Sequence, residues 1–162
     1  MMGYSVIVVF PDPDTRDKVL AFLEANLTPL HEILCEDTAY TRGPVSDPSY
    51  RKKGREDFTL GFDFSMSSDP ESRLAYMVCY WAVRQIPDAE AWYDGLDKLK
   101  IPDNVNEDGF LPLEDYERRL LSRCGNPESR ALYYDDIERL SALNPRVAAE
   151  LSRLTRLWKG AP

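Results

Sequence analysis

The chain has 162 residues, of which 43% are hydrophobic, and a formal net charge of −8 at pH 7. A chain of this length can form one domain and bury a core without disulfides or a structural metal. The acidic balance argues against binding to nucleic acid or to an anionic membrane surface, because both depend on Lys and Arg. The three cysteines, Cys35, Cys79 and Cys124, are widely spaced and form no CxxC pair, so neither a disulfide framework nor a cysteine zinc site is expected.

The N-terminal segment has no basic stretch, and its apolar run at residues 6–10 is too short for a signal peptide or a membrane span. The next apolar run, at residues 74–83, is also too short for a span. We therefore expect a cytoplasmic protein that neither crosses nor binds a membrane.

The chain opens with a predicted strand and a predicted helix. Residues 5–10 form a β-branched apolar run, which is typical of a buried strand. The turn at residues 11–14 ends this strand, and Asp14 is expected to cap a helix whose third position is Asp17. The helix has one apolar face, formed by Val19, Leu20, Phe22, Leu23 and Leu27.

A second strand is predicted after a polar loop. Residues 30–40 are ambiguous and allow a short strand at 33–35, and residues 41–56 form the polar loop. Residues 58–64 alternate apolar with small or polar side chains, which predicts a half-buried strand. Its apolar face would carry Phe58, Leu60, Phe62 and Phe64.

A central buried helix is predicted from residue 69 onward. Asp69 is expected to cap it, with Pro70 at the first helical position. Residues 74–83 are apolar on almost every side, as in a helix that lies within a core. A strand is the alternative for this run, and the cap favours the helix.

Helical segments separated by Pro, Gly and Asn are predicted beyond residue 87. Asp88 is expected to cap the first of them, whose apolar residues are Trp92, Tyr93, Leu96 and Leu99. An acidic connector follows at 101–112, and further helices are expected from residue 113 and from residue 127. The pair Asn144–Pro145 predicts the start of the last helix. The apolar face of that helix would carry Val147, Leu151, Leu154 and Trp158.

These elements predict an α+β fold, with a small sheet and covering helices in the N-terminal half and a helical C-terminal half. Residues 1–162 are expected to form a single compact unit. Within it, an α/β layer at residues 1–87 and a helical extension at residues 88–162 would share one core.

The negative charge is concentrated in residues 88–117, which hold ten acids and two bases, a net charge of −8. Residues 1–87 hold 13 acids and nine bases, and residues 118–162 hold five acids and nine bases. The two flanking segments therefore carry −4 and +4, and their charges cancel. The whole excess of negative charge lies in the middle of the chain.

This distribution suggests a protein-interaction module whose partner is a basic protein, in the manner of an inhibitor or an immunity protein. Aromatic side chains can anchor such a complex while acids steer the encounter and select the partner. The expected contact residues are Asp88, Glu90, Trp92, Tyr93, Asp94, Asp97, Asp103, Glu107 and Asp108. The alternative is that the acids form a solvated helix face with cap residues and that the aromatic residues belong to the core.

No catalytic, metal or cofactor motif is recognised, so an enzyme is not the leading hypothesis. His31 is the only histidine, and no nucleophile motif such as GxSxG accompanies it. The basic cluster at residues 51–55 lacks the pattern of a nucleotide-binding P-loop.

Two other functions stay open. Asp12 and Asp14 follow the first strand, and open sheets bind ligands at such positions, so the junction could serve a small enzyme or a ligand-binding domain. A turn and a helix cap explain the same two residues. The third hypothesis is a structural or assembly component, which could form a homo-oligomer through the C-terminal helices.

Overall fold

The protein contains both helices and strands in the computed structural model, which describes residues 3–34, 58–65, 69–93, 97–103, 105–110 and 145–160. The strands are β1 (Gly3–Val9), β2 (Thr59–Ser65), β3 (Glu90–Tyr93) and β4 (Asp97–Lys98), and the helices are α1 (Pro13–Asn26), α2 (Thr28–Leu34), α3 (Asp69–Gln85) and α4 (residues 145–158). This mixture of helices and an antiparallel sheet confirms the predicted α+β class.

β1 occupies an inner position in the four-stranded sheet, whose order is β2–β1–β3–β4. It pairs antiparallel with β2 on one side and with β3 on the other, so that Val8 lies opposite both Leu60 and Ala91. Every residue from Val6 to Phe10 is fully buried. The β-branched run therefore predicted this strand correctly, because such residues suit a strand that is covered on both faces.

α1 starts two residues earlier than predicted, and the expected cap, Asp14, is wrong. The cap is Asp12, whose carboxylate accepts a hydrogen bond of 2.7 Å from the amide of Thr15. Pro13 then occupies the first helical position, where no N–H group is needed. The predicted apolar face of α1 is confirmed, with Val19, Leu23 and Leu27 buried and with Leu20 and Phe22 half-buried against the same core.

α2 replaces the short strand that the sequence allowed at residues 33–35. Hydrogen bonds from the amide of Leu27 to the carbonyl of Leu23 (2.9 Å) and from His31 to Leu27 (3.1 Å) carry the helical pattern across the junction of α1 and α2. Pro29 does not interrupt this pattern, because it lies in the first turn of α2, where its missing N–H is not required. Cys35 lies outside the described residues.

α3 confirms the predicted central helix and begins at Asp69, followed by Pro70. Residues 77–82 are all buried, as the nearly continuous apolar run indicates. This part of the helix is covered by other elements, because residues 77–82 offer no polar side to water.

The last helix is also confirmed, and it packs into the core formed by the first elements of the chain. Val147, Leu151 and Leu154 of α4 belong to the same buried cluster as Val8 of β1 and Leu23 of α1. The described parts of the two halves therefore meet in shared apolar packing.

Three aromatic rings join α1, α3 and α4. Phe22 and Trp81 stack with their ring centroids 5.5 Å apart, and Trp158 meets both rings edge-on, at 5.2 Å and 5.8 Å respectively. The Trp81 indole N–H donates to the hydroxyl of Thr155 at 3.2 Å, so its polar atom is satisfied inside the core.

The helix predicted to start at Asp88 is wrong. Asp88 has a φ of 67°, which is incompatible with the extended backbone of a helix cap. The chain instead turns after α3, and Glu90–Tyr93 pairs with β1 as β3. Trp and Tyr favour strands, and the pairing with β1 makes this segment a strand and not a helix. The sheet thus takes strands from both sides of residue 87.

Several predicted features lie outside the described residues, including the polar loop at 41–56 and the helices expected from 113 and from 127. On β2, Leu60 is buried as expected, whereas Phe58 precedes the strand and is half-buried. No helix within the described ranges is long and apolar enough to cross a membrane.

Candidate functional site

The C-terminal end of α3 carries the first of the predicted contact residues. The amide of Ile86 still bonds to the carbonyl of Ala82 at 3.0 Å, and a turn follows in which Ala89 donates to the carbonyl of Ile86 at 3.3 Å. Asp88 is exposed at the tip of this turn. The last carbonyls of a helix give its end a negative partial charge, so Asp88 adds to a region that is already negative.

The described residues between 101 and 110 lie along the same end of α3. Arg84 donates to the carbonyl of Val105 at 3.0 Å, and the side-chain amide of Gln85 donates to the carbonyl of Glu107 at 2.8 Å. The side chain of Val105 is buried in a small cluster with Tyr80. These contacts hold the segment that carries Asp103, Glu107 and Asp108 against α3.

Residues 105–110, named here the acidic loop, also have internal hydrogen bonds. The side-chain oxygen of Asn106 accepts from the amides of Asp108 (2.9 Å) and Phe110 (3.0 Å). The backbone of Asn106 adds two more bonds, since its amide donates to the carbonyl of Phe110 and its carbonyl accepts from Gly109. An asparagine that closes a turn on its own backbone in this way fixes the path of the loop.

Gly109 brings the acidic loop into direct contact with the backbone of α3. Its φ is 80°, a conformation that only glycine adopts at low cost. A Cβ atom at this position would lie 2.4 Å from the amide nitrogen and 2.6 Å from the Cα of Trp81. Both the backbone angle and the close approach therefore require glycine.

Glu90, Trp92 and Lys98 form a second group, on β3 and β4. The indole N–H of Trp92 donates to the carboxylate of Glu90 at 3.3 Å, and Lys98 Nζ lies 3.7 Å from the other carboxylate oxygen. Trp92 and Lys98 are paired across the two strands. Because Lys98 is mostly exposed, this ion pair adds little to stability.

The structure places six of the nine predicted contact residues in these two regions. Asp88, Asp103 and Glu107 are exposed and Asp108 is half-buried, and all four belong to the turn after α3 or to the segment held on α3. Glu90 and Trp92 lie on one face of the sheet, with Lys98. Consecutive residues of a strand alternate between faces, so the exposed Asp97 belongs to the opposite face.

Of the other two predicted residues, Tyr93 lies in β3, and Asp94 lies outside the described residues.

The first strand–helix junction, the site of the alternative function, has its leading carboxylate engaged. Hydrogen bonds from the amide and hydroxyl of Thr15 lower the pKa of Asp12. This carboxylate therefore serves the start of α1, and Asp14 is an exposed residue of the first helical turn. A helix cap and an exposed position in the first turn therefore account for Asp12 and Asp14.

The histidine and the described cysteine lie in structural positions. His31 is half-buried in the last turn of α2. Cys79 is buried in the core, and this burial raises the pKa of its thiol to about 12, so it is not a thiolate nucleophile at neutral pH. Within the described ranges, no three His, Cys, Asp or Glu side chains are grouped to hold a metal ion.

Sequence reasoning missed four residues that position the acids: Arg84, Gln85, Asn106 and Gly109. Asn and Gly separated by two residues indicate a turn, and that signal was present in the sequence. The contact of the turn with α3 has no local signal, because it joins residues more than twenty positions apart.

Comparison with family models, with curated proteins and with solved structures finds no significant match to this chain.

Proposed function

We propose that the chain is a protein-interaction module that binds a basic surface of a partner protein, as an inhibitor or immunity protein does. The observation that carries this proposal is the acidic loop, whose backbone contacts α3 at Gln85 and Gly109 and whose turn is closed by Asn106, while Glu107 is exposed. The proposal places the protein in the cytoplasm, where such a partner would be held.

The local charge supports this proposal. The described residues from 88 to 110 hold six acids, namely Asp88, Glu90, Asp97, Asp103, Glu107 and Asp108, and two bases, Lys98 and Lys100, a net charge of −4. The negative end of α3 lies in the same region. A concentrated negative field accelerates encounter with a basic surface and disfavours acidic partners.

The fixed backbone supports the same proposal. Binding usually costs conformational entropy, because loops and side chains become ordered in the complex. The acidic loop already has its turn closed and docked, so only its side chains would lose freedom. A preorganised loop of this kind favours a specific complex over diffuse attraction of cations.

The proposed interface centres on the acidic loop, on Asp103 just before it and on the turn after α3. Its main contacts would be Asp88, Asp103, Glu107 and Asp108. Glu90 and Trp92 would contribute at the sheet, and Asp97 at the edge strand β4. Because Trp92 is half-buried and bonded to Glu90, we assign it a smaller share of the contact than the sequence suggested.

The test is a charge-neutralised variant, Asp103→Asn with Glu107→Gln and Asp108→Asn, used to capture partners from native lysate at low and high salt. These changes leave the hydrogen bonds of the loop in place, because those bonds use its backbone and Asn106. We expect the wild-type chain to capture a basic protein in a salt-sensitive manner and the variant to lose it.

A matched control removes three negative charges elsewhere, through Asp14→Asn, Glu24→Gln and Glu32→Gln, all exposed residues of α1 and α2. This control should capture the partner as the wild type does. Equal capture by the two triple variants would contradict the proposal, because it would show that the position of the charge is irrelevant.

No specific observation in the described residues favours either of the two alternative functions. Asp12 is engaged as the cap of α1, which removes the motive for a ligand site at the first strand–helix junction. The assembly role, with its homo-oligomer, stays a prediction.

A further inference from the structure

We draw no further inference here: the strongest candidate, the largely buried Arg16 side chain in the first turns of α1, forms an ion pair with Asp17, and nothing in the described part of the chain shows a ligand that it would bind.

Discussion

α3 contacts its neighbours on two sides through different interactions, and Trp81 takes part in both. Its ring lies between α1 and α4, stacked on Phe22 and edge-on to Trp158. Its backbone instead meets Gly109 of the acidic loop. The first side, named here the aromatic junction, depends on buried apolar area, whereas the second depends on a few hydrogen bonds and one close approach.

The difference indicates what each side contributes. Burial of large apolar side chains dominates the free energy of unfolding, so damage to the aromatic junction should affect the whole molecule. Hydrogen bonds at an exposed loop contribute little to global stability but decide where the loop lies. Variants of the two sides should therefore separate stability from partner binding.

The aromatic junction also has polar contacts that fix its arrangement. Thr155 accepts from Trp81 and donates to the carbonyl of Leu151 at 3.0 Å, so its hydroxyl both accepts and donates inside the core. On the same helix, Arg153 Nε lies 3.0 Å and 2.9 Å from the two carboxylate oxygens of the buried Glu150. Of these contacts, the Trp81–Thr155 bond joins α4 to α3, whereas the Arg153–Glu150 pair lies within α4.

The largest effect is expected from Trp81→Ala. This change removes two ring contacts and leaves a cavity between three helices, which costs about 3–5 kcal/mol of unfolding free energy. Urea unfolding followed by circular dichroism measures this loss. Thr155→Val should cost less, about 1–3 kcal/mol, because it removes the acceptor of the buried indole N–H but leaves no large cavity. A Trp81→Ala loss below that of Thr155→Val would contradict this account of the aromatic junction.

Gly109→Ala should have the next largest effect, with Gly160→Ala as its control. Both glycines have positive φ, at 80° and 75°, so both substitutions carry a backbone cost of about 1–2 kcal/mol. A Cβ at Gly160 meets nothing within 4 Å, whereas at Gly109 it meets the backbone of α3. The clash should add about 1–3 kcal/mol, or displace the acidic loop.

Thermal unfolding and partner capture of the two glycine variants separate these contributions. We expect only Gly109→Ala to lose the captured partner. Identical behaviour of the two variants would mean that the close approach of the acidic loop to α3 has no consequence.

A smaller effect is expected from Asn106→Ala, which removes the acceptor of two amide hydrogen bonds. The cost in global stability should be about 0.5–1.5 kcal/mol, since both bonds are at the surface. Hydrogen exchange of the Asp108 and Phe110 amides should accelerate. Asn106→Asp keeps an acceptor oxygen and should preserve the protection of both amides; faster exchange in that variant would point to another cause.

The smallest effect concerns the pH dependence of the α1 cap. The folded pKa of Asp12 lies below its ordinary value of 3.8, so its contribution is present above pH 3.8 and is lost as the pH falls through the folded pKa. The stability difference between wild type and Asp12→Ala should therefore shrink below pH 3.8. Asp12→Asn caps without titrating, so its advantage over Asp12→Ala should stay constant with pH. Parallel pH profiles for wild type and Asp12→Asn would contradict this assignment.

The sequence predicted the elements whose signals are local. The β-branched run at Val6 to Phe10 predicts a strand and the Asn144–Pro145 pair predicts a helix start without reference to distant residues. The apolar run within α3 left a strand open, and the local Asp69–Pro70 start favoured the helix that is found. β3 has no such signal, because its four residues follow an acid that resembles a cap. Its pairing with β1 joins residues about eighty positions apart, and that contact decides the outcome.

The sequence predicts which acidic residues make up the candidate site but not how the fold arranges them. Counting charges located the excess of acids, and the structure places its described members near the end of α3 and on β3 and β4. Trp92 and Asp97 lie on opposite faces of the sheet because side chains alternate along a strand. The helix predicted for this part of the chain gave no reason to expect that division. The docking of the acidic loop depends on Gly109 reaching the backbone of Trp81, a contact that depends on the tertiary fold.

Zero-length carbodiimide cross-linking of the wild-type chain to its captured partner, read by mass spectrometry, tests the central claim most directly, because it joins carboxylates to the lysines that touch them. We predict cross-links from Asp103, Glu107 and Asp108 to the partner, and their loss at high salt. Cross-links concentrated instead on exposed acids of α1 and α2, such as Glu24 and Glu32, would contradict the acidic loop as the binding surface.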